Sequence, residues 1–206
     1  MRVLLVGFGA FPGGPLNPSA LLVKSLARRR RPAFAEVVRT THVFATTYAA
    51  VDRDLPNLFA TGPDIILMFG LAGRRRHLCI ETRARNAVSL LSPDARGYRP
   101  QQGVIKLGER AALRGAAPFA SLLGAVRANS VPARLSRDAG RYLCNYAYWR
   151  ALERSGDGRP LVQFVHIPRV SVGPRRRLRG RRPPPLGSLV GAAERLLVAL
   201  IAASRR

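Results

Sequence analysis

The sequence has little cysteine, little acid and almost no lysine. Its 206 residues include 2 cysteines, 11 acidic residues and 35 basic ones, of which Lys24 and Lys106 are the only lysines. Two cysteines are too few for a disulfide framework, so we expect reduced thiols and a cytoplasmic protein. The apolar run at residues 3–6 is too short for a signal peptide. No stretch reaches about 18 consecutive apolar residues, so the sequence predicts no membrane span.

The net charge of +24 comes almost entirely from arginine. A basic surface gains affinity for nucleic acids and anionic membranes by releasing counterions. The arginines are nevertheless scattered through a chain rich in alanine and glycine, which is typical of the coding bias of a GC-rich genome. We therefore expect no specific nucleic-acid partner and no membrane partner. The runs at residues 28–31 and 175–182 are interpreted as a solvated helix end and an exposed basic loop, with binding to polyanions left open.

Apolar runs alternate with amphipathic segments along the chain, and 47% of the residues are hydrophobic. Runs that are apolar throughout are typical of strands buried on both faces. We find no repeat and no linker. The sequence therefore predicts one α/β domain over residues 1–206, with three layers, α/β/α, and an open, twisted, mostly parallel sheet covered by helices on both faces. Residues 174–185, rich in arginine and proline, are expected to form a mobile loop. Strands are predicted at residues 2–6, 37–44, 64–69 and 161–165, an alternating segment at 78–90, and helices at 19–28, 48–59, 118–129, 144–154 and 186–203.

Cys144 lies at the predicted start of a helix, and His166 lies in a predicted buried strand. A thiol at a helix N-terminus is close to the positive end of the helix dipole and to unpaired N–H groups, which favour the thiolate and can bind an oxyanion. If His166 folds back beside it, the pair supplies a nucleophile and a base. Cysteine and histidine are also common in ordinary cores, so the pair alone leaves a structural role open.

Two further patterns contain residue types that are typical of binding sites. The glycine-rich loop at residues 7–14 follows a strand, but its prolines and its glycine spacing do not match a nucleotide-binding loop. His77, Cys79 and Glu81 alternate along a predicted strand and are metal-ligand types. Three ligands along one strand span about 13 Å, too far to meet one ion without other partners. We therefore expect no metal and no cofactor.

Five motifs stand in order and cover nearly the whole chain. They are Gly-Phe-Gly-Ala-Phe at 7–11 with Asn-Pro-Ser at 17–19, Phe-Gly-Leu-Ala-Gly at 69–73, Glu81 followed by Asn86, Asp-Ala-Gly-Arg-Tyr-Leu-Cys-Asn at 138–145, and Phe-Val-His-Ile-Pro at 164–168. Together they resemble the pyroglutamyl-peptidase I family, also called pyrrolidone-carboxylate peptidases. The resemblance implies an α/β/α fold and a cysteine peptidase that removes an N-terminal pyroglutamyl residue from peptides. It also implies a triad with Cys144 as nucleophile, His166 as base and Glu81 as the carboxylate that orients the imidazole.

The resemblance also implies which residues bind the substrate. The lactam ring is small and flat, so its pocket needs apolar walls and a few polar contacts. The oxyanion would be bound by the backbone N–H of Cys144 and by a second donor, for which Arg96 is the candidate and Arg83 and Arg85 are rivals. The residues expected to line the pocket are Phe8, Phe11, Leu71, Tyr142, Leu143 and Thr46.

Several alternatives stay open from the sequence. Leu71 stands where the family commonly has glutamine, so a relative that hydrolyses another N-acyl or lactam amide is one alternative. A noncatalytic, arginine-rich binding protein on the same scaffold is another. The arginines at residues 74–76 either favour acidic peptides or face water. The apolar face of the C-terminal helix either packs against the sheet or forms a contact in a homo-oligomer.

Overall fold

The computed structural model describes residues 1–11, 14, 16–128, 131–171 and 183–205. In that part of the chain, the apolar runs form strands and the amphipathic segments form helices. The helices are α1 (Pro18–Ala27), α2 (Tyr48–Ala60), α3 (Phe119–Arg127), α4 (Leu143–Arg154) and α5 (Leu186–Ser204), with a short 3-10 turn at Pro32–Phe34. The strands are β1 (Arg2–Phe8), β2 (Val38–Phe44), β3 (Ile65–Leu71), β4 (Leu78–Glu81), β5 (Arg83–Arg85), β6 (Ala112–Arg114), β7 (Ala133–Ser136) and β8 (Leu161–Ile167).

Six strands form the central sheet in the order β2-β1-β3-β8-β4-β7. Strands β2, β1, β3 and β8 are parallel, while β4 runs antiparallel to β8 and carries β7 parallel to itself. Strands β5 and β6 pair in a separate antiparallel ribbon. The predicted α/β class with a mostly parallel sheet is confirmed.

Helices cover both faces of this sheet, because alternate side chains of the buried strands point to opposite sides. Leu5, Leu67 and Val165 belong to a core shared with α1, α3 and α5. Their neighbours Met68 and Phe164 belong to a second core shared with α2 and α4. The three-layer prediction is therefore confirmed, and α4 lies on the face of the sheet that Phe164 occupies.

The alternating segment at 78–90 differs from the prediction. It is divided at Thr82, where β4 ends and the chain leaves the central sheet for the ribbon formed by β5 and β6. At this point Thr82 N–H donates to Ser136 O at 2.7 Å, and Gly115 N–H donates to Thr82 O at 3.2 Å. Because of this division, Glu81 is the last residue of its strand.

Helix α5 has 19 residues and is long and apolar enough to span a membrane by length and composition alone. Glu194 and Arg195 interrupt its apolar residues, so it does not contain 18 consecutive apolar ones. The helix instead packs inside the first core, where Leu196, Leu197 and Leu200 are fully buried.

The arginine run at 28–31 is not simply a solvated helix end, because two of its arginines pair with Glu194 of α5, which is only 3% exposed. The partners are Arg29, at 3.0 Å, and Arg31.

The predicted mobile loop at 174–185 lies largely outside the described residues. Its last three residues, 183–185, are described and lead directly into α5. Ser171 N–H donates to Pro184 O at 3.1 Å, which joins the segment after β8 to the start of α5.

Candidate active site

Cys144 is the second residue of α4 and is a partly exposed, free thiol. The first hydrogen bond of the helix joins Tyr146 N–H to Tyr142 O at 3.0 Å. Earlier N–H groups at a helix N-terminus have no helical acceptor, so they are available to an anion. The thiol lies directly over Gly70 of β3, because a β-carbon at residue 70 would be 2.7 Å from Cys144 Sγ. Glycine at this position therefore leaves the space that the sulfur occupies.

His166 and Glu81 meet across the antiparallel pair of β8 and β4. In this register His166 is opposite Cys79, and Glu81 is opposite Phe164. His166 Nδ1 and Glu81 Oε1 are 2.8 Å apart. The histidine is 5% exposed and the glutamate is fully buried. The register neighbour of His166 on β3 is Gly70, over which the thiol of Cys144 lies, so the three side chains meet at one site.

The surroundings of His166 favour its charged form. Burial lowers the pKa of the imidazole, but hydrogen bonds to Cys144 and Glu81 outweigh burial and raise the pKa to about 9. At neutral pH the ring is therefore an imidazolium held between the thiol and the carboxylate. A protonated imidazole in this position can stabilise a thiolate and can donate a proton to a leaving group.

Arg75 joins this site, although the sequence patterns did not indicate it. Its Nη1 donates to Glu81 Oε1 at 2.8 Å, the same oxygen that His166 contacts. Its Nη2 donates to Asp138 O at 2.7 Å. The guanidinium of Arg75 is therefore engaged within the protein, although its side chain is 30% exposed. It connects the triad carboxylate to the loop that precedes α4.

The main chain of Glu81 is held by two further buried side chains. Tyr148 OH, from α4, and Gln163 Nε2, from β8, each donate to Glu81 O at 3.0 Å. These contacts fix the end of β4 against both elements that supply the other two triad residues. A predicted site residue thus depends on partners that lie far from it in sequence.

Asn145, next to the nucleophile, ties α4 to β5. Its side chain is fully buried, accepts from Arg85 N–H at 2.8 Å and donates to Arg85 O at 2.8 Å. It also donates to Ala87 O at 2.9 Å. This residue belongs to the motif around Cys144, and its contacts hold the helix N-terminus in place.

The predicted pocket residues lie in two different environments. Phe8 and Leu143 are 2% and 1% exposed and belong to the core under α4, where Phe8 packs 6.2 Å from Phe164 between ring centroids. Phe11 and Leu71 are partly exposed, at the loop after β1 and at the end of β3. Their part in binding a lactam stays a prediction.

Thr46 and Tyr142 already make hydrogen bonds within the protein. Thr46 Oγ1 donates to Gly9 O at 3.2 Å, and Tyr142 OH donates to Pro93 O at 2.9 Å. The first bond joins the loops that follow β2 and β1, and the second attaches the residue before α4 to Pro93. A role for either residue in substrate binding therefore also stays a prediction.

The candidate second oxyanion donor, Arg96, lies on an exposed turn. Its backbone N–H donates to Asp94 Oδ1 at 2.9 Å. Within the described ranges its guanidinium has no hydrogen-bond partner. The rivals are engaged elsewhere, because Arg83 Nε donates to Arg137 O at 2.8 Å and Arg85 pairs with Asp138 at 3.3 Å. Arg96 thus keeps a free guanidinium, and its catalytic role stays a prediction.

The alternating series His77, Cys79 and Glu81 does not form a donor set. Among the described residues, no group of three or more histidine, cysteine or acidic side chains is arranged to hold a metal ion. Cys79 is buried beside Arg75, and Glu81 is committed to Arg75 and His166.

Comparisons with known proteins agree on one family. The family model described as pyroglutamyl peptidase matches residues 1–205. Pyrrolidone-carboxylate peptidase of Thermococcus kodakarensis is 33% identical over 82% of this chain and 81% of its own length. That of Clavibacter michiganensis is 35% identical over 81% of this chain and 78% of its own. The crystal structure of Bacillus amyloliquefaciens pyroglutamyl peptidase I superposes with a TM-score of 0.83, 26% identity and 98% of both chains covered.

Proposed function

Because the chain belongs to the pyroglutamyl peptidase family, we propose that it is a cysteine peptidase that hydrolyses the amide bond after an N-terminal pyroglutamyl residue of peptides. The observation that carries this proposal is the convergence of Cys144, His166 and Glu81 at the N-terminus of α4. Nucleophile, acid–base group and orienting carboxylate are the groups that amide hydrolysis by a thiol requires.

In the first half of the reaction, the thiolate of Cys144 attacks the pyroglutamyl carbonyl carbon and forms a tetrahedral intermediate. The N–H groups at the start of α4 bind the oxyanion. The imidazolium of His166 gives its proton to the leaving amine as the C–N bond breaks. The products of this half are the shortened peptide and a thioester on Cys144.

In the second half, water attacks the thioester. Neutral His166 accepts a proton from the water, the C–S bond breaks, and free pyroglutamate leaves with the thiolate restored. Glu81 holds the imidazole through Nδ1 in both halves, which leaves the other ring nitrogen for the thiol and the substrate. No step uses a cofactor. We infer that the chain acts as one cytoplasmic domain, with association into a homo-oligomer still a prediction.

The test is a panel of substrates that release a fluorescent aminocoumarin from different acyl groups. We expect release from the pyroglutamyl substrate and little from prolyl or N-acetyl substrates. Iodoacetamide should inactivate the enzyme. The Cys144→Ala variant should be inactive, whereas Cys79→Ala, which removes the other thiol, should remain active and sensitive to iodoacetamide.

Two outcomes would replace this function. Preference for a different acyl group would favour the related hydrolase that Leu71 suggests, and a Leu71→Gln variant would then shift the preference toward pyroglutamate. Failure to hydrolyse any substrate of the panel would favour a binding protein on the same scaffold.

A further inference from the structure

One row of residues crosses the sheet on the face that carries the nucleophile. In the strand register, Gly70 is beside His166, His166 is beside Cys79, and Cys79 is beside Arg134. Paired residues point to the same face of a sheet. Adjacent strands lie about 4.8 Å apart, so residue 134 is about 14 Å from residue 70 along this row. The row therefore begins at Gly70 under the nucleophile, passes the base His166 and Cys79 of β4, and ends at Arg134 of β7.

This order gives the direction in which a bound peptide leaves the active site. The predicted lactam-binding residue Phe8 lies at the end of β1, the strand next to β3 on the side away from β8. His166, which protonates the leaving amine, lies on the other side, on β8. The peptide after the scissile bond therefore extends over β8 toward β4 and β7. An extended chain advances about 3.4 Å per residue, so roughly the second to fourth residues after the bond reach Arg134.

A cavity of about 750 Å³ lies at that end of the row, and its lining is strongly basic. Among its lining residues there is no carboxylate. We call it the basic cleft and define it by its basic lining residues other than Arg75, which contacts Glu81. These residues are Arg74, Arg76, His77, Arg134 and Arg169.

The charges of the basic cleft are not neutralised by the protein. Within the part of the chain that the structure describes, no carboxylate pairs with Arg74, Arg76 or Arg134. Two acidic residues that could balance arginines are paired elsewhere, Asp138 with Arg85 and Glu194 with arginines near α1. The general excess of arginine explains why basic residues are common here, but not why every acidic partner is missing from one cleft.

We propose that the basic cleft binds acidic side chains of the peptide that follows the pyroglutamyl residue. This inference rests on the proposed function and makes it more specific. The preferred substrates carry glutamate or aspartate at about the second to fourth positions after the scissile bond. Exposed ion pairs contribute modestly, so each acidic residue should raise kcat/KM by about two- to fivefold, and two should raise it by about 5- to 20-fold.

The experiment compares two peptides that differ only in charge, pyroglutamyl-Ala-Glu-Glu-Leu and pyroglutamyl-Ala-Gln-Gln-Leu. The quantity measured is the ratio of their kcat/KM values, from the rate at which a free amino terminus appears. We expect a ratio of about 5 to 20 at low salt that falls toward one at high salt, because screening weakens exposed pairs. The ratio within one enzyme cancels any general loss of activity.

The variants test the location of the effect. The double variant Arg76→Gln/Arg134→Gln should bring the ratio close to one. The matched control Arg127→Gln removes an exposed arginine at the end of α3, in the opposite helix layer, and should keep the wild-type ratio. A wild-type ratio of one, a ratio unchanged in the double variant, or an equal loss in the control would each overturn the proposal. Failure of wild-type enzyme to release aminocoumarin from the small pyroglutamyl substrate would instead overturn the function on which it rests.

Discussion

Glu81→Gln should move the alkaline limit of activity to lower pH. The carboxylate is fully buried, and its Oε1 lies 2.8 Å from His166 Nδ1. A hydrogen bond to a charged group contributes about 1.5–3 kcal/mol. Since one pKa unit corresponds to about 1.36 kcal/mol, loss of the carboxylate should lower the pKa of His166 by about 1–2 units from its value of about 9. Glutamine keeps the size of the side chain and removes its charge.

The assay is the pH dependence of kcat/KM for the aminocoumarin substrate, which reports the ionisation of the free enzyme. His166 must be protonated to assist the leaving amine, so the rate falls as pH rises through its pKa.

The raised pKa of His166 also affects the stability of the protein. Because it is raised above the usual 6.5, its contribution to stability is fully present below pH 6.5 and is lost as pH rises through about 9. Thermal unfolding across the alkaline range should show this loss in wild-type protein and less of it in the variant.

Asp52→Asn is the matched control for Glu81→Gln. Asp52 accepts hydrogen bonds from Tyr146 OH and Arg150, so its loss removes one negative charge from the same helix layer without contact to the imidazole. The control should keep the wild-type alkaline limit. An alkaline limit that stays in place in Glu81→Gln would refute the role given to this carboxylate.

Three further results are expected. Gly70→Ala should reduce kcat by about a hundredfold or more, because a β-carbon would lie 2.7 Å from Cys144 Sγ. The control Gly124→Ala should have normal kcat, because a β-carbon at residue 124 would meet open space. Arg75→Gln should lower kcat by about 10- to 100-fold with little change in KM, since one charged hydrogen bond to Glu81 is lost. Arg75→Lys keeps the charge and should restore part of the lost kcat. An unchanged kcat in Arg75→Gln would contradict the role given to Arg75. Treatment with a chelator should leave the rate unchanged, and a strong loss would mean that a metal takes part.

The sequence predicted the buried strands well because their apolar runs have a direct physical cause. A strand such as β3 is covered on both faces, so all its side chains must be apolar. The same pattern carries no information about strand direction or neighbours. The antiparallel insertion of β4 between β8 and β7 therefore could not be predicted, although it brings Glu81 to His166.

Contacts between distant segments were the other limit. Arg75 was one of three consecutive arginines, and nothing in their spacing indicated which of them turns inward to Glu81. Likewise, an aromatic residue beside a glycine-rich loop fits either a pocket wall or a core position. The 2% exposure of Phe8 shows that most of its surface is used in the core.

The proposed reaction requires the thiol of Cys144 to form the covalent intermediate. The most direct measurement mixes enzyme with a pyroglutamyl peptide, stops the reaction in acid, and maps the acyl group by mass spectrometry after cleavage at arginine. Because Arg141 and Arg150 flank the nucleophile and Arg76 and Arg83 flank Cys79, the two thiols fall in different fragments. We expect a pyroglutamyl thioester in the fragment that contains Cys144. An acyl group on the other fragment, or full turnover in Cys144→Ala, would contradict it.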